Sequence, residues 1–98
     1  MADFIMMVEY ETDDIDSVNS LVASIPVPGD VPKPTSVVNV RDRDRPETFA
    51  TILRFNSYEE AIRRSESDAN RERIAKLSLI AKGEIRFRYL EVINEINP

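Results

Sequence analysis

The chain has no cysteine, no histidine and no tryptophan among its 98 residues. Without cysteine it forms no disulfide, thiolate metal site or sulfur nucleophile. Without histidine it lacks the commonest metal ligand and general base, and with them any Ser-His-Asp triad. Gly29 and Gly83 are the only glycines, so a glycine-rich phosphate cradle is excluded. No apolar run approaches the ~20 residues that a membrane helix needs. The opening residues carry no basic segment, and their apolar run stops at Val8. No secretory leader is therefore expected, and the cytosol is the expected location.

What is present is an ordinary globular balance, 42% hydrophobic and 32% charged. The length suits a single domain over residues 1–98. Thirteen bases against eighteen acids leave a net charge of −5, which argues against a nucleic-acid binder. The acids crowd into residues 1–34, where Lys33 is the one base. That section reads as a helix start plus a solvated loop, since acids favour the first turn of a helix, or as a docking surface for a basic partner.

Phe4–Tyr10 reads as a strand, with Phe4, Met6, Val8 and Tyr10 on one face and Ile5 and Met7 on the other. Asp13 or Asp14 caps a helix over Ile15–Ser24, whose stripe is Ile15, Val18, Leu21, Val22 and Ile25. Pro26, Pro28, Pro32 and Pro34 make residues 26–34 a stiff loop. Thr35–Arg41 and Phe49–Phe55 read as a hairpin across a short charged turn. Ser57-Tyr-Glu-Glu60 is a capping box that starts a helix to about Arg64. An interruption follows, with Asp68 as a second N-cap and a helix over 69–82 closed by Gly83. Ile74, Leu77, Ile80 and Ala81 form its stripe, and Leu79 points away from it. Glu84–Glu95 is the last strand, with a bulge expected near Tyr89–Leu90, where the apolar parity changes.

The order β-α-β-β-α-β predicts an α+β, ferredoxin-like fold: a four-stranded antiparallel sheet with helices on one face. The bare face of such a sheet wants polar residues in a monomer. Ile5, Met7, Ala50 and Ile52 do not supply them. A homodimer formed through the sheet face is therefore expected.

Phe49-Ala-Thr-Ile-Leu-Arg-Phe-Asn-Ser-Tyr-Glu-Glu-Ala61, the broken helix ending at Gly83, and the strand closing with Leu-Glu-Val-Ile-Asn-Glu-Ile96 resemble the antibiotic biosynthesis monooxygenase-like superfamily of dimeric α/β barrels. The resemblance covers about half the chain by pattern and all of it by topology. It implies a cofactor-independent monooxygenase-like protein, or an isomerase, acting on an aromatic or polyketide-like molecule. The sequence departs from that pattern at Phe55, where Trp is frequent, and at Arg64 and Ser65, where His is frequent. Haem-degrading members use a histidine ligand that this chain lacks. No cofactor and no metal is expected.

Asn39, Thr51, Arg54 and Tyr89 are the polar side chains that interrupt otherwise apolar strands. They are the candidate ligand-binding residues of a pocket between sheet and helices; no catalytic residue is assigned. Each has a structural alternative: a neighbour's hydrogen bond for Asn39 and Thr51, packing for Tyr89, an ion pair with Glu9 or Glu91 for Arg54. Three functions fit: a small oxygenase or isomerase, a non-catalytic small-molecule-binding dimer, or an assembly module using the acidic section.

Overall fold

Phe4, Met6, Val8 and Tyr10 are buried, whereas Ile5, Met7 and Glu9 between them are half-buried. This period of two defines strand β1 (Phe4–Glu11), with one face on a core. The computed structural model describes residues 3–97. Helix α1 (Ile15–Ser24), strands β2 (Ser36–Arg41) and β3 (Thr48–Phe55), helices α2 (Tyr58–Ser65) and α3 (Asp68–Ile80), and strand β4 (Lys82–Glu91) follow. The sheet is antiparallel throughout, in the order β2-β3-β1-β4. This is the ferredoxin-like α+β arrangement that the element order predicts.

The register assigns the faces. Met6 stands opposite Leu53 on β3 and Tyr89 on β4, and Val37 stands opposite Leu53. Val8, Tyr10 and Phe49 pack with Val18 of α1 and Leu77 of α3. Phe4, Met6 and Phe55 pack with Ala61 of α2. Phe55 and Ala61 are fully buried. Phe4 of the sheet meets Tyr58 of α2 edge-on at 5.1 Å, and within the sheet Tyr10 stacks on its cross-strand partner Phe49 at 6.1 Å.

The opposite face carries Ile5, Met7, Val38, Val40, Ala50, Ile52 and Leu90, with no helix over it. Val38, Val40 and Leu90 are exposed, at 50%, 40% and 43%. Charged groups lie around these residues: Arg54 bonds Asp3 at 2.7 Å and Glu95 at 2.9 Å, and Arg45 bonds Glu11 at 2.6 Å.

The helix caps are local chemistry. The Ser17 amide donates to Asp14 Oδ1 at 3.2 Å, and the Glu60 amide donates to Ser57 Oγ at 3.2 Å. Among the described residues Glu60 makes no return bond, so the capping box is half formed. Asp68, expected as a cap, is the first residue of α3; Ser67 is the cap and accepts from the Asn70 amide at 3.2 Å. The Ser67 hydroxyl also donates to the Arg64 carbonyl, which joins the two helices at a tight corner.

Gly83 and the expected bulge are also corrected. Helix α3 ends at Ile80, before the glycine, and Gly83 lies in β4 with φ of 72°. The register slips there, because Glu9 pairs with Arg86 but Glu11 with Lys82. Extra residues on β4 need one left-handed position, and glycine supplies it without a Cβ clash. Beyond it the pairing is unbroken from Arg86 to Glu91, so there is no bulge at Tyr89–Leu90. Leu90 belongs to the bare face by ordinary alternation. The strand stops at Glu91 rather than Glu95, although the Val92 amide still donates to the Asp3 carbonyl at 3.1 Å.

Candidate functional site

Alternation sends Val37 and Asn39 of β2, and Thr51 and Leu53 of β3, toward the helices. Edge strand β2 lies beyond the full reach of α1, and a cavity of about 340 Å3 remains between sheet and helices. That volume lies in the ~300–1,000 Å3 range of small-molecule sites. Met6, Val8, Leu53, Leu77 and Phe87 provide apolar walls, and Val18, Leu21 and Val22 of α1 close one side.

The polar groups in it are few. The Thr51 hydroxyl donates to Asn39 Oδ1 at 2.8 Å, which leaves the Asn39 amide as a donor facing the cavity mouth. Tyr10 also lines the cavity, and burial pushes its phenol above its ordinary pKa, so at neutral pH it is a hydrogen-bond donor. From the helices come Asn70 and two arginines, Arg64 and Arg73. The donor set is suited to a ligand oxygen that carries partial or full negative charge, set against apolar rings.

Asn39 and Thr51 are thus brought together at the cavity wall. Tyr89 lies one step along, in a neighbouring depression that shares Met6, Asn70, Ile74 and Phe87 with the cavity. It is half exposed and stacks on Phe4 at 6.4 Å. Arg54 is not brought to this cavity. It stands opposite Ile5 on the bare face, held by Asp3 and Glu95, whose hydrogen bonds raise its pKa, Asp3's first. Its partners are therefore not Glu9 or Glu91; Glu9 instead stands 3.9 Å from Arg88.

Arg64, Asn70 and Arg73 are functional candidates that sequence reasoning missed. The available signal was helical spacing. Asn70 and Arg73 precede Ile74 and Leu77 on one side of α3, and Arg64 follows the buried Ala61 by three residues. A larger depression of about 610 Å3 at the start of α2 is lined by Asp3, Glu59, Glu60 and Arg63 with Asn56 and Ser57. Its lining residues are all polar or charged, so it is the weaker candidate.

The sheet order, the hairpin and the two helical crossovers define a ferredoxin-like α+β protein. More particularly, its fold is that of several solved structures, some of them provisionally described as antibiotic biosynthesis monooxygenases. It is similar to a protein from Caulobacter crescentus provisionally described as an antibiotic biosynthesis monooxygenase, at 9% identity and a TM-score of 0.77, over 95% of this chain and 92% of that one. It is similar to Rv0793 from Mycobacterium tuberculosis at 11% identity and a TM-score of 0.76, over 97% and 99% of the two chains. A conserved protein from Methanosarcina mazei matches at 12% identity and a TM-score of 0.75, over 92% of each. No protein-family model and no curated protein matches the sequence.

Proposed function

We propose that this chain is a homodimeric α/β-barrel protein that binds an aromatic or polyketide-like small molecule between its sheet and helices, with monooxygenation as its chemistry. The observation that carries the reading is the cavity itself: apolar walls, with the Asn39–Thr51 pair and Tyr10 as donors at the sheet. In that chemistry the electrons come from the substrate. A ring methylene beside a phenol reacts with O2 to give a carbonyl and water. The protein's part is to hold the developing enolate oxygen by hydrogen bonds and to keep bulk water out. Tyr89 stands near the entrance, and Arg54 serves the other face.

A second reading, ligand binding without turnover, is favoured by Phe55 and Arg64, which replace the Trp and His frequent in the resembling sequences. Oxygen uptake with a panel of quinols, hydroxynaphthalenes and anthrones separates the two. Uptake with one oxygen atom of O2 carried into the product supports the oxygenase. Saturable binding without uptake supports the carrier. Silence in both assays overturns the site.

The dimer rests on the bare face, whose central residues Met7, Val38 and Ile52 are apolar and which no helix of the described residues covers. Burial of apolar surface contributes about 25 cal/mol per Å2, and a stable interface needs roughly 1,200 Å2 or more. Light scattering at micromolar concentration should give twice 11.2 kDa. A monomer mass with a sharp thermal transition would end this part of the proposal.

A further inference from the structure

The far end of the cavity, where α2 and α3 meet the proline-rich loop, holds two positive charges without a negative partner. Arg64 is 8% exposed, and its Nη1 donates to the Pro32 carbonyl at 3.2 Å. Arg73 Nη2 donates to the Ile25 carbonyl at 2.9 Å, and its Nε is buried with no hydrogen-bond partner. Among the described residues no carboxylate lies within 4.0 Å of either guanidinium. On the outside of the molecule a charge needs no partner, because water solvates it: Arg45, Arg54 and Lys82 have carboxylates, whereas exposed Arg43, Arg63 and Arg86 form no ion pair among the described residues.

A buried charge is ordinarily paired, because desolvation without a partner is costly. Here two like charges share one site. Burial, and then the charge of Arg73, lowers the pKa of Arg64 from its ordinary value. A guanidinium has five N–H donors, so each arginine keeps donors free after its one carbonyl contact. Both point to an acceptor that arrives from outside the chain. Ile74, Leu77 and Phe87 lie in the same cavity and present apolar surface of ring size.

We propose that Arg64 and Arg73 form a carboxylate-binding end of the cavity, and that its ligand is an aromatic acid. The ring packs on Ile74, Leu77 and Phe87, and the carboxylate takes charge-assisted hydrogen bonds from the two guanidinium groups. This deepens the small-molecule reading above and rests on it. The same two arginines grip the loop at Ile25 and Pro32, so a bound carboxylate also relieves the repulsion beneath that loop.

The test uses 1-hydroxy-2-naphthoic acid and its methyl ester, which share ring and carbonyl and differ in charge. Calorimetric titration of the full chain at about pH 7 should show the acid binding about tenfold tighter than the ester, as a charge-assisted pair supplies. Arg73→Gln should bring the acid to the affinity of the ester and leave the ester within about twofold, whereas Arg73→Lys should retain part of the preference. Equal binding of acid and ester by the unsubstituted protein overturns the proposal and leaves the cavity reading standing. So does an Arg73→Gln protein that melts lower but keeps the full acid preference, because the arginines would then be loop staples alone. Binding of neither compound removes both this inference and the cavity reading beneath it.

Discussion

The two faces of the sheet are both apolar, yet they treat charge in opposite ways. On the bare face, Arg54 and Arg88 stand within reach of Asp3, Glu95 and Glu9 in positions open to water. On the helix face the charges are Arg64 and Arg73, drawn inward and left without carboxylates. Hydrophobicity does not separate the two surfaces; the burial of charge does, since Arg86 and Arg88 stay in water while Arg64 is buried. A face whose charges stay in water around an apolar centre suits a flat, self-matching partner. A cavity with unpaired charge is ready for a small ligand of opposite sign.

The largest break in this comparison comes from the helix face. Phe55→Ala should cost about 3–5 kcal/mol and lower the melting temperature by more than about 12 °C, because the ring is fully buried. Native protein of this variant should keep the mass of the parent, since the bare face is untouched. Next comes the bare face. Ile52→Asp places a carboxylate among Met7 and Val38, its cross-strand neighbours. Light scattering should then fall to a mass near 11.2 kDa, with a loss of about 3 kcal/mol or more from desolvated charge. Retention of the parent mass would mean that the bare face is not the interface.

Smaller effects sharpen the contrast. Thr51→Val removes the donor to Asn39 and should cost at most about 1 kcal/mol in denaturant unfolding, because the pair is open to solvent. It should nonetheless weaken binding of a phenolic ligand several-fold. If stability drops and binding does not, the pair is structural. The smallest effect belongs to neither face. The Ser17 hydroxyl and amide hold the Asp14 carboxyl below its ordinary pKa. The unfolded chain takes up that proton first as pH falls. The cap's contribution is therefore whole above about pH 4 and is lost as pH drops through the folded-state value. Melting curves of the parent and Asp14→Ala should differ most near neutrality and converge in acid.

What could be read from the residues was what local chemistry decides. The parity of β1 and β3, the caps at Asp14 and Ser57 and the hairpin each depend on a few neighbours in sequence. The broken helix was legible too, but not that Ser67 rather than Asp68 caps it, because both side chains are competent and the corner selects one. Gly83 fits a helix end and a strand bulge equally well by type; the pairing with β1 decides. Leu90 reads as a parity slip in sequence because the polar Arg86 and Arg88 precede it on the same face; the pairing with β1 shows ordinary alternation. The site divided in the same way. Asn39 and Thr51 stand out as polar breaks in valine-rich strands. Arg64 and Arg73 are ordinary residues for solvated helices, and only the fold of α2 and α3 onto the loop buries Arg64 and the Nε of Arg73. Arg54 is also a polar break, but its neighbours in space, Asp3 and Glu95, come from opposite ends of the chain.

The order of the strands in space also bears on how the chain is made. β1 is synthesised before its neighbours, yet it takes an interior place between β3 and β4. Its last ladder joins Phe4 to Glu91, so the sheet closes only after β4 has left the ribosome. At about 5–20 residues per second that interval lasts several seconds. Until β3 emerges, Phe-Ile-Met-Met-Val8 shows apolar side chains in both directions and two unpaired backbone edges, and one edge stays open until β4 follows. Contacts this distant in sequence also form slowly once the chain is complete. The two-sided apolar strand that suits the finished sheet makes the nascent chain its most adhesive form, and the one with most to gain from a chaperone.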